Sequence, residues 1–498
     1  MKKIISLLLA LTIGSTAAVS LTGCKLLDRL NEGETLRVIL LGEKPEGFDE
    51  VQAEMNKILE PELGMKVTYE FFDAASIGEK MKLKMAEKDT FDVVWTGYAN
   101  PYQAAVQMKG LYDISPLLDN IKMKDGSTVK MSDVIDQAFI DSAKVKGSVY
   151  GIPCIQVNCN PRCYSVFTSV AEECGLDVEG MEEAALNVTD YDSYAVYLNK
   201  ITEEKAKVKA KRPDLIQSAQ EPRACTIYET LEAGIALRKD GSRELVIMDE
   251  TPEMQLSFKT LHEWYKKGYT SKDAATKLNQ VQSVEDKKQQ PWFESSYKPG
   301  QEITDERTYG EPLLYSLMHA PYMGRTNPLA TMLSVGANTK HPEAAVKYLY
   351  MINSNKELYN LLCFGIEGKH YTKNEDGTVK LVDGSAFEDM ANKAWAMGNQ
   401  FNAYVMEGQP ADVWEQTEKM NEDSIKSPAL GFVPDLSQLT TEVAAITNVQ
   451  AEYKARRECG TNDPAEWYDE YIAKLKTAGI EKVRDELQKQ YDEFLASK

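Results

Sequence analysis

The residues that most often carry catalysis or bind metals are scattered in this sequence. None of the four histidines stands at a metal-binding spacing such as HxxxH. Glu367, Lys369 and His370 lie close together, but Gly365 and Gly368 flank them, and paired glycines indicate a loop with unusual backbone geometry. This segment is therefore better interpreted as a hinge loop than as a catalytic cluster, and we expect neither a metal nor a cofactor.

The cysteines give an equally weak signal for chemistry. The chain has eight cysteines, and the seven that follow Cys24 are an odd number, so they cannot all pair. Cys154, Cys159 and Cys163 are close in sequence, yet they lack the CxxC spacing of zinc and iron–sulfur sites. We expect free thiols that are mostly packed in the interior.

Aromatic side chains with amides beside them are more informative. Residues 91–95 have the pattern of a buried strand that ends at Trp95, and Tyr98 and Asn100 follow directly. Trp395 and Asn399 are spaced i and i+4, which would place them on one face of a helix. Flat rings can cover the apolar face of a ligand while amides pair with its polar groups, so these positions predict non-covalent binding.

Composition limits the class of protein. The chain has 498 residues, of which 43% are hydrophobic and 27% charged, enough for two or three globular units at roughly 150 residues each. The formal net charge is −20, which argues against binding to nucleic acid or to an anionic lipid surface. The basic run at residues 205–212 is interpreted as a solvated helix end.

The first residues predict export. Lys2 and Lys3 precede an uncharged, mostly apolar run over residues 4–19, too short for a comfortable membrane span but typical of a signal peptide. Residues 21–24 resemble the lipobox of bacterial lipoproteins, in which the cysteine becomes the lipidated N-terminus. We expect a signal peptide over 1–23, lipid on Cys24 and a tether over 24–34. These place the protein on the extracellular face of the cytoplasmic membrane. An ordinary signal peptide with an incidental cysteine is the alternative.

The first part of the mature chain alternates strands and helices. Apolar periodicity predicts a β-α-β-α-β unit and hence a parallel sheet, with strands at 35–41, 67–71 and 91–95 and helices at 48–58 and 77–87. Ligands of such sheets bind beyond the carboxyl ends of the strands. The C-terminal part is strongly helical.

Short motifs in a fixed order resemble extracellular solute-binding proteins of carbohydrate ABC importers, of the family 1 type. They are the lipobox, the first β-α-β unit and residues 91–95, 110–118, 148–153 and 338–345. Residues 364–371, 395–401 and 427–432 resemble a Gram-positive lipoprotein branch with an extra C-terminal helical region of unassigned role. The sequence departs from the commoner pattern over residues 154–164.

The resemblance implies an α/β fold of two lobes, the periplasmic-binding-protein-like type II fold. Each lobe would be a mostly parallel sheet flanked by helices, with a hinge of crossing segments near 150–153, 322–328 and 365–371. Lobe 1 would comprise 35–150 and 322–370, and lobe 2 would comprise 151–321 and 371–498 with the helical extension. A cleft between the lobes would capture an oligosaccharide or related sugar, and the monomeric protein would deliver it unchanged to the ABC permease subunits.

A sugar has apolar C–H faces and a rim of hydroxyls, so its site needs aromatic rings together with amides and charged groups. On this basis we predict the ligand-binding residues Glu43, Trp95, Tyr98, Asn100, Trp292, Tyr322, Arg325, Trp395, Asn399 and Gln400. Core packing is the alternative for Trp95 and Trp395, and support of a crossing segment is the alternative for Tyr322 and Arg325. Trp264 and Trp467 are interpreted as packing residues.

Two other functions stay open. A binder of peptides or other small solutes would use charged groups for the peptide termini, and Arg162, Arg223 and Arg325 are available. A secreted glycoside hydrolase would need two carboxylates about 5 to 9 Å apart. The sequence shows no barrel-like succession of eight β-α units to present them.

Overall fold

The computed structural model describes residues 34–159, 161–215, 226–278 and 282–497. The predicted signal peptide, Cys24, nearly all of the tether, Arg223 and Cys225 lie outside these residues. Over the described ranges the chain forms two compact units: unit 1 contains 34–155 and 329–404, and unit 2 contains 156–328 and 405–497. No helix in the described ranges is both long and apolar enough to cross a membrane.

The chain passes between the units after residues 155, 328 and 404. Residues 371–404, which the sequence analysis assigned to the second lobe, belong to unit 1. The reason is tertiary packing, since Phe364 packs against the rings of both Tyr371 and Tyr404, and the Phe387 ring stacks on that of Phe48. Residues 322–328, assigned to the first lobe, belong to unit 2.

The strands are short, and most have five residues or fewer. They are β1 Thr35–Leu41, β2 Lys66–Phe72, β3 Val93–Gly97, β4 Ile121–Lys122, β5 Thr128–Val129, β6 Gly151–Pro153, β7 Arg162–Phe167, β8 Tyr228–Glu232, β9 Ile235–Arg238, β10 Leu245–Ile247, β11 Trp292–Ser296, β12 Leu313–Leu317, β13 Tyr322–Met323, β14 Thr331–Val335, β15 Tyr371–Lys373, β16 Val379–Leu381 and β17 Ile425–Lys426.

The helices are more numerous toward the C-terminus. They are α1 Phe48–Leu63, α2 Ile77–Ala86, α3 Tyr102–Gln107, α4 Gln137–Ser142, α5 Thr168–Cys174, α6 Val178–Leu186, α7 Tyr191–Lys211, α8 Pro252–Lys267, α9 Ala274–Lys277, α10 Val284–Lys288, α11 Gln301–Tyr309, α12 Pro342–Ser354, α13 Lys356–Phe364, α14 Glu388–Asn392, α15 Val413–Asp423, α16 Thr440–Glu452, α17 Lys454–Cys459, α18 Pro464–Thr477 and α19 Ile480–Ala496.

Unit 1 is built on a five-stranded sheet in the order β2-β1-β3-β14-β6. Strand β1 pairs in parallel with β2 and β3, which confirms the predicted β-α-β-α-β unit. Strand β14 enters from the other part of the chain and runs antiparallel to β3 and β6. Residues 151–153 therefore belong to this sheet and not to the second lobe.

Unit 2 contains two three-stranded sheets, ordered β10-β9-β8 and β11-β7-β12. Every pair in them is antiparallel, so unit 2 does not contain the mostly parallel sheet expected for the second lobe. Helices supply much of the core, and the C-terminal helices α16, α18 and α19 contribute to the same hydrophobic cluster as the sheets. Trp264 and Trp467 lie in that cluster with 1% and 2% of their surface exposed, which confirms that they are packing residues.

Six cysteines within the described residues are buried thiols that form no disulfide. Burial raises the pKa of the Cys159 thiol to about 12, so it stays protonated and unreactive near neutral pH.

Candidate functional site

One edge of the unit 1 sheet gathers loops from distant parts of the chain. Strand β3 ends at Gly97, which pairs with Thr331 at the start of antiparallel β14. Pro153, the last residue of β6, pairs with Met332. The loops at residues 42–45, 98–101, 154–155 and 329–330 therefore meet at this edge, which we call the carboxyl edge of unit 1.

Tyr98 is the most exposed aromatic residue of the carboxyl edge, with 59% of its surface accessible. Its loop is closed by a backbone bond from Gly97 N to Asn100 O at 2.8 Å. Its own N–H donates to Ala330 O at 3.1 Å. A Cβ atom at Gly97 would come within 2.2 Å of Ala330 O, so glycine is required for this close approach. The loop holds the Tyr98 ring outside the core.

Trp395 supplies a second, half-buried ring beside Tyr98. The ring centroids are 6.3 Å apart with an interplanar angle of 35°. The two rings form a tilted pair on the carboxyl edge, which we call the aromatic platform. The sequence analysis predicted both residues but gave no indication that they would be neighbours.

The predicted helix face carrying Trp395 and Asn399 is wrong. Trp395 lies on a 3₁₀ turn over Ala394–Ala396, and Gly398 then takes a φ of 133°, which interrupts the helix. Asn399 instead caps the next 3₁₀ turn, where its Oδ1 accepts a hydrogen bond from Phe401 N at 3.0 Å. The loop is attached to Ile155, which donates to Gly398 O at 3.1 Å and accepts from Gln400 N at 2.8 Å.

Trp95 is a core residue next to the platform and does not form part of its exposed surface. Its side chain is fully buried in a strand whose five residues are all buried. Its ring meets Tyr98 edge to face, with centroids 5.5 Å apart and an interplanar angle of 77°. The prediction that Trp95 contacts ligand is corrected: it supports the Tyr98 ring from below.

Two of the predicted amides are also buried. Asn100 is 5% exposed and donates from Nδ2 to the Trp95 carbonyl at 2.9 Å, so it shapes the loop. Gln400 is 4% exposed. Neither amide is presented to solvent as predicted, because both are enclosed by the turns that carry the platform.

Three charged side chains also lie at the carboxyl edge of unit 1. Glu43 is exposed directly after β1, as predicted. Asp389 and Lys393, which the sequence analysis did not single out, form an ion pair of 2.6 Å. A Cβ atom at Gly42 would lie 3.8 Å from Asp389 Oδ2 and 3.9 Å from Lys393 Nζ, so this pair borders the loop after β1. Its i, i+4 spacing was the available signal, but such pairs are common on any helix.

Trp292 in unit 2 is not a stacking platform. It is 1% exposed and belongs to the unit 2 core. The ammonium of Lys205 lies 5.0 Å from its ring centroid and 4.8 Å from that of Trp264. An internal cation–π contact therefore occupies the ring face that was predicted for a sugar.

Tyr322 and Arg325 support the second passage between the units. The Tyr322 hydroxyl donates to Glu229 Oε2 at 2.8 Å, and burial raises the pKa of this phenol. Arg325 is 3% exposed, and its guanidinium donates to Leu231 O at 2.8 Å and to Glu232 at 3.0 Å. Both side chains are occupied inside unit 2, in agreement with the supporting role weighed as their alternative.

Unit 2 has its own polar and aromatic edge where the chain enters β7. Arg162 pairs with Glu294, and Tyr297 N donates to Pro161 O at 2.8 Å. The Tyr297 hydroxyl donates to Glu302 at 2.7 Å, and its ring lies 5.2 Å from that of Tyr315. Sequence reasoning missed this group because a tyrosine just after a strand resembles any loop tyrosine.

No group of three or more His, Cys, Asp or Glu is arranged to hold a metal ion in the ranges that the structure covers.

The fold is similar to that of two-domain extracellular solute-binding proteins. The crystal structure of the N-glycan transport solute binding protein NgtS from Streptococcus pneumoniae superposes with a TM-score of 0.78 at 24% identity, covering 93% of this chain and 99% of NgtS. NgtS in complex with Man5GlcNAc gives a TM-score of 0.69 at 25% identity, covering 94% and 99% of the two chains. The predicted two-domain α/β fold is confirmed.

Sequence comparison points the same way. The chain is 27% identical over 510 residues to a protein named carbohydrate ABC transporter substrate-binding protein from Streptococcus pneumoniae serotype 4, covering 98% of this chain and 97% of the relative. Residues 428–496 match DUF3502, described as a domain of unknown function. The resemblance to solute-binding proteins of carbohydrate importers with an additional C-terminal region is confirmed.

Proposed function

We propose that this protein is the extracellular substrate-binding component of a carbohydrate ABC importer. In this role it binds an oligosaccharide and delivers it unaltered to the membrane permease. The observation that carries the proposal is the aromatic platform: Tyr98 and Trp395 form a solvent-accessible ring pair at the sheet edge where α/β folds bind ligands.

The platform suits the apolar face of a pyranose ring. A sugar that covers Tyr98 buries part of a residue whose surface is 59% exposed in the free protein. Aromatic rings contribute both area and geometry to such contacts. Glu43, Asp389 and Lys393 are close enough to the same edge to supply partners for sugar hydroxyls, whose burial without a partner costs about 1–3 kcal/mol each.

The relatives indicate which sugars to test first. NgtS has been crystallised with Man1GlcNAc and with Man5GlcNAc. We propose N-glycan-type oligosaccharides as the first candidates for this chain. The relatives are binding proteins of transporters, and the proposal includes no catalytic step.

The location and partners follow from the same proposal. Lipid on Cys24 would hold the protein on the outer face of the cytoplasmic membrane, because several acyl chains anchor far more firmly than one. The mature protein would act as a monomer beside the permease subunits. The predicted cleft between two lobes stays a prediction.

Peptide binding is less well supported by the side chains. Arg162 is paired with Glu294, and Arg325 is buried and bonded to Leu231 and Glu232. The two described arginines considered for peptide termini therefore already have partners within unit 2.

A thermal-shift screen of the protein without residues 1–24 tests the proposal. Mannose- and GlcNAc-containing oligosaccharides, other glycans and short peptides would be compared at equal concentration. A ligand bound only by the folded state raises the melting temperature, by an amount that grows with its concentration. The proposal expects a shift with glycans alone. A shift with peptides alone, or sustained release of new reducing ends from the glycans, would contradict it.

A further inference from the structure

One short segment of unit 2 forms hydrogen bonds to the chain at two of the places where it passes between the units. Residues 421–427 bond to the chain just after the first passage and just before the second. We infer that Asn421, Ser427 and Glu229 form a clasp that fixes the backbone where these passages leave unit 2, and that the region of unknown function, residues 428–496, anchors this clasp. The inference concerns the C-terminal region and goes beyond the proposed sugar binding.

Asn421 holds the first passage. Its Oδ1 accepts hydrogen bonds from Asn158 N at 2.7 Å and from Cys159 N at 3.2 Å. Its Nδ2 donates to Gln156 O at 2.6 Å. Gln156 is the first residue of unit 2. One amide that is 7% exposed thus satisfies three backbone groups within four residues of the passage.

The same segment holds the second passage. Strand β17 pairs in parallel with β13, with Ile425 N donating to Pro321 O at 3.0 Å and Ser427 N donating to Met323 O at 2.9 Å. The passage itself lies between residues 328 and 329. The segment therefore adds a strand to the chain just before it crosses.

The Glu229 carboxylate accepts three hydrogen bonds beside this second passage. The donors are the hydroxyls of Tyr322 and Ser427 and the backbone N–H of Arg325. A carboxylate bonded by three donors from two chain segments fixes their relative position better than any single neutral hydrogen bond.

The C-terminal region, residues 428–496, packs against residues next to the clasp. Arg325 Nη1 reaches Phe432 O at 3.4 Å, and the Phe432 ring packs against Tyr491 and Phe494, each with a centroid distance of 5.4 Å. Gln488 Oε1 accepts from Leu245 N at 2.7 Å and so ties α19 to the sheet that carries Glu229.

An ion pair also joins the C-terminal region to the residues that follow β10. Arg457 pairs with Asp249 at 2.8 Å, and both side chains are largely buried. The helices over 428–496 therefore brace β8–β10 and, through them, the second passage. This is a positioning role that needs no ligand of its own.

Amide hydrogen exchange on the chain without residues 1–24 tests the clasp. In Asn421→Ala the amides of Asn158 and Cys159 lose their acceptor, and we expect their exchange to accelerate at least tenfold. Gln416→Ala is the matched control, because Gln416 lies on the same helix but is exposed, and its side chain bonds to Asp412. It should leave the exchange of both amides unchanged.

Glu229→Met provides the second variant. Its expected effect is at least tenfold faster exchange of the Arg325 amide, while the amides of α1 and α18 keep their wild-type rates. Unchanged rates at Asn158, Cys159 and Arg325 would overturn the inference, as would equal acceleration throughout unit 2, which would indicate general destabilisation. The experiment uses no sugar, so its result is independent of the proposed function.

Discussion

The rings of Tyr98 and Trp395 form a tilted pair with centroids 6.3 Å apart, and each ring is carried by a loop that bonds to a passage between the units. The Tyr98 amide bonds to Ala330 O, and the Trp395 loop bonds to both backbone groups of Ile155. Ala330 is the second residue of unit 1 after one passage, and Ile155 is the last residue before another. A ligand on the platform would therefore contact loops that are bonded to the residues next to two of the passages between the units.

Trp292→Ala should reduce stability and leave sugar affinity unchanged in the folded protein. Removing a buried tryptophan costs about 3–5 kcal/mol, and here it also removes the cation–π contact with Lys205. Urea unfolding followed by titration calorimetry at low temperature measures both quantities. Leu314→Ala, on strand β12 of the same sheet at 40% exposure, is the control and should have little effect. A tenfold loss of affinity with normal stability would contradict this expectation and indicate that Trp292 contacts the sugar.

Gly97→Ala should weaken binding through the shape of the Tyr98 loop. The added Cβ would meet Ala330 O at 2.2 Å and the Trp95 ring at 2.8 Å, so the loop must move. Gly64→Ala serves as the control: it also has a positive φ, of 74°, but among the described residues no heavy atom beyond its chain neighbours lies within 4 Å of its added Cβ. Both variants should lose stability, and only Gly97→Ala should lose affinity for oligosaccharide. Equal affinity in the two variants would show that the loop does not need this geometry.

Stability should fall as the pH falls from about 6.5 toward 4, in part because of His319. Burial, reinforced by the charges of Lys239 and Arg162, lowers the pKa of His319 from 6.5 to about 4. In this window the unfolded chain binds a proton that the folded chain does not, so the free energy of unfolding decreases with falling pH. His319→Gln should show a shallower decline when unfolding by urea is measured at pH 7, 5.5 and 4.5. Parallel curves for the two proteins would exclude this contribution.

Cys24→Ala should release the protein from the membrane. Cell fractionation should find the wild type with membranes and the variant in the medium, because the variant lacks the attachment point for lipid. Cys174→Ala, which removes a buried thiol of unit 2, should fractionate like the wild type. Retention of Cys24→Ala in the membrane fraction would contradict the lipid anchor.

Local pattern was sufficient for part of the fold and of the site. The mostly apolar run over residues 35–41 placed β1 correctly at Thr35–Leu41, and the position of Tyr98 just after a strand predicted an edge residue. Pattern could not decide whether an aromatic side chain on a strand faces solvent or core. Trp95 and Trp292 both proved buried, because distant parts of the chain cover them: Leu333 of β14 pairs with Trp95, and Lys205 lies over the Trp292 ring.

Helical spacing also gave a wrong prediction for one segment, because a glycine interrupts the helix there. Trp395 and Asn399 have the right separation for one helix face, but Gly398 takes a positive φ and divides the segment into two turns. The attachment of residues 371–404 to unit 1 depends on long-range contacts such as that between Phe387 and Phe48. Neither fact is contained in the periodicity of the local sequence.

Calorimetric titration of Tyr98→Ala and Trp395→Ala with a glycan that binds the wild type tests the central claim most directly. Tyr112→Ala is the control, since Tyr112 is exposed but bonds through its amide to Val335, at the opposite end of β14. The aromatic platform predicts that each of the first two variants loses at least tenfold in affinity, about 1.4 kcal/mol, while Tyr112→Ala binds like the wild type. Wild-type affinity in both Tyr98→Ala and Trp395→Ala would contradict it.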